Sequence, residues 1–210
     1  MKVTITGYHL GDSLARNLYV TFQKLGHQVA FVEDLTWVHH DNRLGRVFRS
    51  SLLRYPRVEI YRSQRVVRRV IAQHPDLFIS LWSWLRPEAV QEIRNAGIRT
   101  VLWYPDAIVN LDRQYVLVAP FDLLLFKDPY AVRLFREKLS LPVFYLPEAC
   151  NPLWHRPVSL TEQEYQRYRC DITTAGSMYP YRTRLLEIFN GYDLKLWGGA
   201  WPSGWGEPAQ

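Results

Sequence analysis

Short apolar runs recur through the first 150 residues and alternate with segments of helical periodicity. Each apolar run predicts a strand, and the runs are residues 3–6, 29–33, 77–82, 100–103, 123–126 and 143–146. Most of them lack the alternation of polar and apolar residues that marks a half-exposed strand. They therefore predict strands buried on both faces, as in a parallel sheet.

Helical segments fill the spaces between these strands. Apolar residues at helical spacing precede Gly26 and Gly97, and a glycine is typical of the position just after a helix. Pro87 and Pro129 each suit the first turn of a helix. Alternating strands and helices predict an α/β fold, a Rossmann-like doubly wound parallel sheet over residues 1–150, with its ligand edge at the carboxyl ends of the strands.

The pattern changes beyond residue 146. Residues 151–170 are rich in proline and then polar, which predicts an interdomain linker. Residues 171–210 predict a strand, a small-residue turn, a helix and a second strand, which together make one βαβ unit. One helix covers only one face of a sheet, so we expect this second Rossmann-like unit to be incomplete. Either the chain is part of a longer protein, or this last unit extends the first sheet.

Composition narrows the class of protein. The chain has 210 residues, of which 48% are hydrophobic, and this excludes a disordered tail, a fibre and a disulfide-stapled miniprotein. Cys150 and Cys170 form no CxxC pair, which favours a reducing compartment. The sequence has no signal-peptide core and no apolar run of about 18 residues, so we expect a cytoplasmic protein.

The basic charge is concentrated in one region. The formal net charge is +6, and nine arginines with a single glutamate lie between Arg43 and Arg69. The apolar spacing there predicts two amphipathic helices with arginine faces. Such faces are typical of helices that contact a membrane surface peripherally or bind an anionic acceptor. The alternative is that the arginines simply face water. No recognisable DNA- or RNA-binding module accompanies the charge, so we expect no nucleic-acid partner.

The loop after the first strand is a candidate binding element. No Walker P-loop or GxGxxG motif follows a strand, which weakens ATPase and NAD-dehydrogenase interpretations. Gly11 permits a close backbone approach, and Asp12 or Ser13 suits the cap of a helix whose amino terminus can hold an anion. An ordinary capped turn is the alternative. His9 is a candidate general base, with a solvated loop histidine as its alternative.

Aromatic residues and one carboxylate mark the ends of two later strands. Trp82, Trp84 and Tyr104 offer ring faces to a sugar or a base, and Asp106 suits hydrogen bonding to hydroxyls or proton transfer. The alternative is that the tryptophans belong to the core and that Asp106 caps a turn. The sequence His39-His40-Asp41 lacks a third ligand at suitable spacing, so we assign no metal.

The last βαβ unit has the pattern of a phosphate-facing turn. Gly176 and Ser177 follow a strand, Arg182 lies near the start of the next helix, and the second strand ends in two glycines.

This segment resembles the start of the carboxyl-terminal domain of the CgeB-like, spore-maturation-type glycosyltransferases. In that family a strand, Gly-Ser, Tyr-Pro-x-Arg and a helix lead to a strand with a Gly-x-x-Trp ending. Upstream segments also resemble the family's amino-terminal half: the loop from Gly7 to Asp12, the sequence Leu25-Gly26-His27-Gln28-Val29, the strand end Trp103-Tyr104-Pro105-Asp106, and Leu146-Pro147-Glu148-Ala149-Cys150-Asn151-Pro152.

The resemblance implies a GT-B architecture, in which the first of two Rossmann-like domains holds the acceptor and the second holds a nucleotide-sugar donor. It implies a hexosyltransferase-like enzyme that needs neither a metal nor a cofactor and acts on a hydroxyl of a glycan, lipid or protein. Gly176, Ser177 and Arg182 would lie near the donor diphosphate. Gly11, Asp12 and Asp106 would line the acceptor side, and we take the rings of Trp82, Trp84 and Tyr104 as candidate acceptor-binding groups.

The family pattern continues with strands for the nucleotide base and ribose, which do not follow within this chain. We therefore expect a partial enzyme that binds its donor weakly. The alternative function is a non-catalytic Rossmann-like module for an anionic glycan, lipid or protein. A flavodoxin-like or response-regulator-like domain needs an acidic cluster at the end of the first strand, where only Asp12 is present.

Overall fold

The computed structural model describes residues 1–7, 9, 11, 13–33, 55–82, 84–111, 114–176 and 180–198. The chain divides into two compact units, Met1–His155 and Arg156–Gln210. The helix expected around residues 44–52 lies outside the described residues, as do Asp12 and Ser177.

The first unit contains a six-stranded sheet in which every described pair of neighbours is parallel. Its strands are β1 (Lys2–Thr6), β2 (Gln28–Val32), β3 (Leu77–Ser80), β4 (Arg99–Tyr104), β5 (Leu123–Phe126) and β6 (Val143–Tyr145). They lie in the order β2-β1-β3-β4-β5-β6. The helices are α1 (Leu14–Lys24), α2 (Pro56–Gln73), α3 (Pro87–Asn95) and α4 (Pro129–Leu139).

Local sequence signals explain where these helices begin and end. Proline opens α2, α3 and α4, at a position where the missing N–H costs no intrahelical hydrogen bond. Gly26 and Gly97 follow α1 and α3 with φ of 80°, a conformation that a side chain disfavours. The expected α/β, Rossmann-like parallel sheet is therefore confirmed.

Helices cover both faces of the sheet, but to different extents. The larger core cluster joins α2, α3 and α4 to one face, and its members include Val66, Ile93, Leu102 and Phe135. On the other face, α1 packs over β1 and β2. There the side chains of β4 and β5 are half-buried, and Phe144 of β6 is 52% exposed. The prediction that strands are buried on both faces is therefore wrong for this part of the sheet.

The strand order places a topological switch next to β1. The chain moves from β1 outward to β2 and then returns to the opposite side of β1 as β3, so the connections diverge there. Thr6 and Ser80 are register partners at the carboxyl ends of β1 and β3. Open α/β sheets bind ligands outside the carboxyl ends of their strands at such a point.

The second unit has its own small sheet. It consists of α5 (Glu162–Tyr168), β7 (Ile172–Ala175), α6 (Pro180–Glu187) and β8 (Leu194–Trp197). The strands β7 and β8 pair in parallel, separately from the first sheet. Thus the alternative that this segment extends the first sheet is wrong. Leu186 and Leu196 form its small buried cluster.

Candidate functional site

Five of the residues singled out in the sequence follow three neighbouring strands. His9 and Gly11 follow β1, Trp82 and Trp84 follow β3, and Asp106 follows β4. Because β1, β3 and β4 are adjacent and parallel, their carboxyl ends meet at one edge of the sheet. The fold therefore brings these residues to the edge that contains the switch point.

Gly7 sets the distance between α1 and this edge. A Cβ atom at Gly7 would lie 2.9 Å from Leu81 Cδ1 and 3.0 Å from the Cβ of Ala15, so the glycine permits close packing. The Ser13 hydroxyl accepts a hydrogen bond from the Arg16 N–H at 3.3 Å and caps α1. Gly11 has φ of 55°, in the left-handed region that favours glycine.

His9 is partly buried and packs against two aromatic rings. Its ring centroid lies 4.4 Å from that of Phe31 and 5.5 Å from that of Tyr19, which meets it edge-on. The Nε2 atom is buried and has no hydrogen-bond partner among the described residues. The imidazole is thus packed against α1 and β2, and its role as a base stays a prediction.

A buried serine fixes the start of the loop after β3. Ser80 Oγ accepts a hydrogen bond from the Trp82 N–H at 3.2 Å, lies 3.1 Å from the Trp82 carbonyl, and lies 3.4 Å from Thr6 Oγ1. The half-buried Trp82 ring packs against Trp84 with a centroid distance of 5.0 Å. These contacts orient the two rings at the switch point.

A buried charged cluster supports that loop from α2. The Arg62 guanidinium carbon lies 3.8 Å from the Trp84 ring centroid, and Arg62 is itself buried. Glu59, also buried, lies 3.7 Å from an Arg86 guanidinium nitrogen. Arg86 in turn donates its backbone N–H to Ser63 Oγ at 3.5 Å. We therefore assign this cluster to holding the loop in place.

The spacing of residues along the chain did not predict this charged cluster. The one available signal was the single glutamate, Glu59, within an arginine-rich helix. A lone acid in such a segment is explained once it is seen to be buried beside Arg86.

Two of the predicted acceptor-binding rings lie in the core. Trp84 is 9% exposed and Tyr104 is 6% exposed. The Tyr104 ring packs against Phe126 at a centroid distance of 5.8 Å. For Trp84 this geometry corresponds to the core alternative, and an acceptor-binding role for Trp84 and Tyr104 stays a prediction.

Asp106 is exposed and organises a turn. Its Oδ1 accepts a hydrogen bond from the Ala107 N–H at 2.7 Å, and its Oδ2 accepts one from Asn110 Nδ2 at 2.9 Å. The short 3₁₀ helix Ile108–Asn110 follows directly. A carboxylate has about four acceptor sites, so two donors leave acceptor capacity on both oxygens.

In the second unit, Gly176 and Arg182 come together. Gly176 has φ of 124°, and a Cβ atom there would lie 2.8 Å from Arg182 Nη1. The absence of a side chain therefore lets the guanidinium rest against the turn after β7. Gly198 also packs closely against the Gly176 carbonyl, which fixes the ends of β7 and β8 beside each other.

Several site types find no support in the described part of the chain. No three histidine, cysteine, aspartate or glutamate side chains among the described residues are grouped to hold a metal ion. None of the described helices has both the length and the apolar character of a bilayer-crossing segment. Cys150 and Cys170 are free thiols.

Solved structures of two glycosyltransferases share this fold. A glycosyltransferase from Rickettsia africae ESF-5 is 10% identical and has a TM-score of 0.55, with 93% of this chain and 59% of that chain covered. A spinosyn forosaminyltransferase is 12% identical, with a TM-score of 0.52 over 97% of this chain and 68% of that one. No protein-family model matches the chain, and no curated protein does.

At these identities the likeness concerns the fold. The chain spans 59% of the length of the Rickettsia enzyme. Its α/β, Rossmann-like fold matches that of these two glycosyltransferases.

Proposed function

We propose that the protein is a GT-B-type glycosyltransferase of the CgeB-like group, which moves a sugar from a nucleotide-sugar donor to an acceptor hydroxyl. The observation that carries the proposal is the fold, which is similar to the folds of two glycosyltransferases. The acceptor would be a glycan, a lipid or a protein. It would bind at the carboxyl edge of β1, β3 and β4.

On the acceptor side, Asp106 is the better candidate for the base. It is exposed, its carboxylate is held by Ala107 and Asn110, and it keeps acceptor capacity for a substrate hydroxyl. In this role Asp106 takes the proton of the acceptor hydroxyl as the hydroxyl oxygen attacks the anomeric carbon of the donor sugar. The bond from that carbon to the diphosphate breaks, and the nucleoside diphosphate leaves.

On the donor side, Arg182 is the candidate for diphosphate binding. Gly176 leaves room for its guanidinium at the turn between β7 and α6. A guanidinium binds phosphate oxygens through paired hydrogen bonds and offsets the negative charge of the leaving group. Ser177, the remaining donor-site candidate, lies outside the described residues.

Nucleotide binding to this chain tests the donor side. We expect one member of a panel of nucleoside diphosphates to raise the melting temperature saturably, because a ligand of the native state stabilises it. Arg182→Gln should weaken that binding about tenfold, the loss expected for a charged hydrogen bond. Arg184→Gln is the matched control, since Arg184 is exposed on the same helix. Equal weakening in both variants would contradict the assignment.

Turnover tests the acceptor side once a donor and acceptor pair is identified. Asp106→Asn should lower kcat by at least about 100-fold, within the range for loss of a general base, and leave nucleotide binding unchanged. An unchanged kcat would remove Asp106 as the base.

The second candidate function is a non-catalytic binding module. The observation that favours it is that both Asp106 oxygens are engaged within a turn and that Trp84 and Tyr104 lie in the core. Such a module would bind an anionic glycan, lipid or protein and no nucleoside diphosphate. Saturable binding of one nucleoside diphosphate would therefore favour the transferase over the module.

A further inference from the structure

The exposed face of α2 combines basic and apolar side chains. We define this face as Arg57, Ile60, Tyr61 and Arg68, which are exposed. Ile60 is 40% exposed and Tyr61 is 47% exposed, and Tyr55, just before the helix, is 65% exposed. Three large side chains with apolar surface are thus exposed in the first part of this helix and just before it.

The charge of this face is uncompensated within the helix. Helix α2 contains five arginines and one acid, Glu59, which is buried on the opposite side beside Arg86. Arg57 and Arg68 form no ion pair with any described residue. Arg69 reaches the backbone carbonyl of Glu33 at 3.5 Å. The exposed face therefore presents positive charge to whatever approaches it.

The apolar end of the face lies near the proposed acceptor edge. Near the middle of α2, Ser63 Oγ accepts a hydrogen bond from the Arg86 N–H in the loop after β3, at the carboxyl edge of the sheet. Near its end, Gln73 Oε1 accepts one from Thr4 in the middle of β1. Helix α2 thus runs from the carboxyl edge of the sheet back towards the amino edge, and Tyr55, Ile60 and Tyr61 lie at the carboxyl-edge end.

We infer that the exposed face of α2 is a docking surface for an anionic lipid bilayer. The guanidinium groups of the arginines can reach lipid phosphates while their methylene chains lie along the apolar surface of the helix. Tyrosine and isoleucine suit the boundary between headgroups and acyl chains. Nucleic acid would use the arginines but gives Ile60 no role, so the bilayer explains more of the surface. This contact goes beyond the proposed transferase function and does not depend on it.

Vesicle cosedimentation of the full chain tests this contact. The chain should bind vesicles of phosphatidylcholine mixed with phosphatidylglycerol and should not bind phosphatidylcholine alone. The double change Arg57→Gln with Arg68→Gln should lower the partition coefficient about thirtyfold, as loss of two basic residues near a charged surface predicts. Raising the salt concentration should also weaken binding of the wild-type chain to these vesicles, because salt screens the charges.

A matched pair of changes on another helix serves as the control. Arg133 and Lys138 are exposed on α4, so Arg133→Gln with Lys138→Gln removes the same charge elsewhere. The control should keep wild-type partitioning. Tyr61→Ser should also weaken partitioning without changing net charge.

Three outcomes would overturn the inference. The first is no binding to the anionic vesicles, and the second is an equal loss in the control variant. The third is arginine-dependent binding to DNA together with no binding to vesicles. Nucleotide binding should be the same in all these variants, so failure of this contact is distinguishable from failure of the transferase proposal.

Discussion

Asp122 shows how the surroundings of one carboxyl determine its protonation. Its Oδ2 accepts hydrogen bonds from the Thr100 N–H at 2.7 Å and the Thr100 hydroxyl at 3.0 Å, and its Oδ1 lies 2.9 Å from an Arg94 nitrogen. Burial acts to raise the pKa of Asp122, but the Thr100 hydrogen bonds and the Arg94 charge together outweigh it. The pKa therefore lies below its usual value, and the charged form stabilises the fold.

Replacing Asp122 by Asn should lower the free energy of unfolding at neutral pH by about 1 kcal/mol, a modest value because a third of the side chain is exposed. In the wild type, ionised Asp122 stabilises the fold fully above its unfolded-state pKa of about 3.9. This contribution is lost as the pH falls through the lower pKa that Asp122 has in the folded state. The difference in the free energy of unfolding between the wild type and Asp122→Asn should thus be constant near neutral pH and should disappear in acid.

Urea unfolding of both proteins across the acid range measures this gap. Glu137→Gln is the control, since Glu137 is exposed on α4. A gap that persists unchanged at the lowest pH would show that the charge of Asp122 is not what stabilises the fold.

At the scale of elements, α2 both packs the sheet and supports the loop after β3. Its buried face contributes Val66, Val67 and Val70 to the core. The same face carries Glu59 and Arg62, which contact Arg86 and Trp84 in the loop. The position of the Trp82–Trp84 pair is therefore coupled to α2 through buried charge.

Removing the buried acid should weaken this coupling strongly. Glu59→Gln removes the buried carboxylate beside Arg86, which keeps its exposed partner Glu88, and we expect a loss of about 2 kcal/mol in the free energy of unfolding. Glu88→Gln is a matched control, because Glu88 contacts the same Arg86 but is largely exposed. It should cost less than about 0.5 kcal/mol. Equal losses measured by urea unfolding would contradict a special role for the buried pair.

At the scale of the whole molecule, the two units differ in how much core they contain. Both larger buried clusters and the six-stranded sheet lie within residues 1–155. In the described part of residues 156–210, the buried apolar side chains are Leu186 and Leu196. The two short strands and two short helices described there give little burial to offset the conformational entropy of folding.

We expect a fragment of residues 1–155 to fold cooperatively and a fragment of residues 156–210 to be largely unfolded when isolated. Far-ultraviolet circular dichroism and urea unfolding of the two fragments measure this directly. A cooperative transition in the shorter fragment would contradict the prediction. Loss of the transition in the longer fragment would do so as well.

The sequence by itself determined the elements and the class of fold. The strand runs at residues 123–126 and 3–6 and the helix starts at Pro87 and Pro129 were read correctly, because local backbone preferences and apolar runs act over a few residues. Strand ends differ by one or two residues from prediction, as at β3, which ends at Ser80. There, the buried Ser80 hydroxyl bonds the Trp82 backbone and ends the strand.

Only the tertiary structure decided which residues share the carboxyl edge and which are covered. The order of strands placed β1, β3 and β4 side by side, and long-range packing buried Tyr104 while leaving Asp106 exposed two residues later. Burial of Glu59 beside Arg86, 27 residues away, left no periodic signal in the sequence. Residue type and spacing are local properties, whereas burial and charge pairing depend on elements that meet only when the chain has folded.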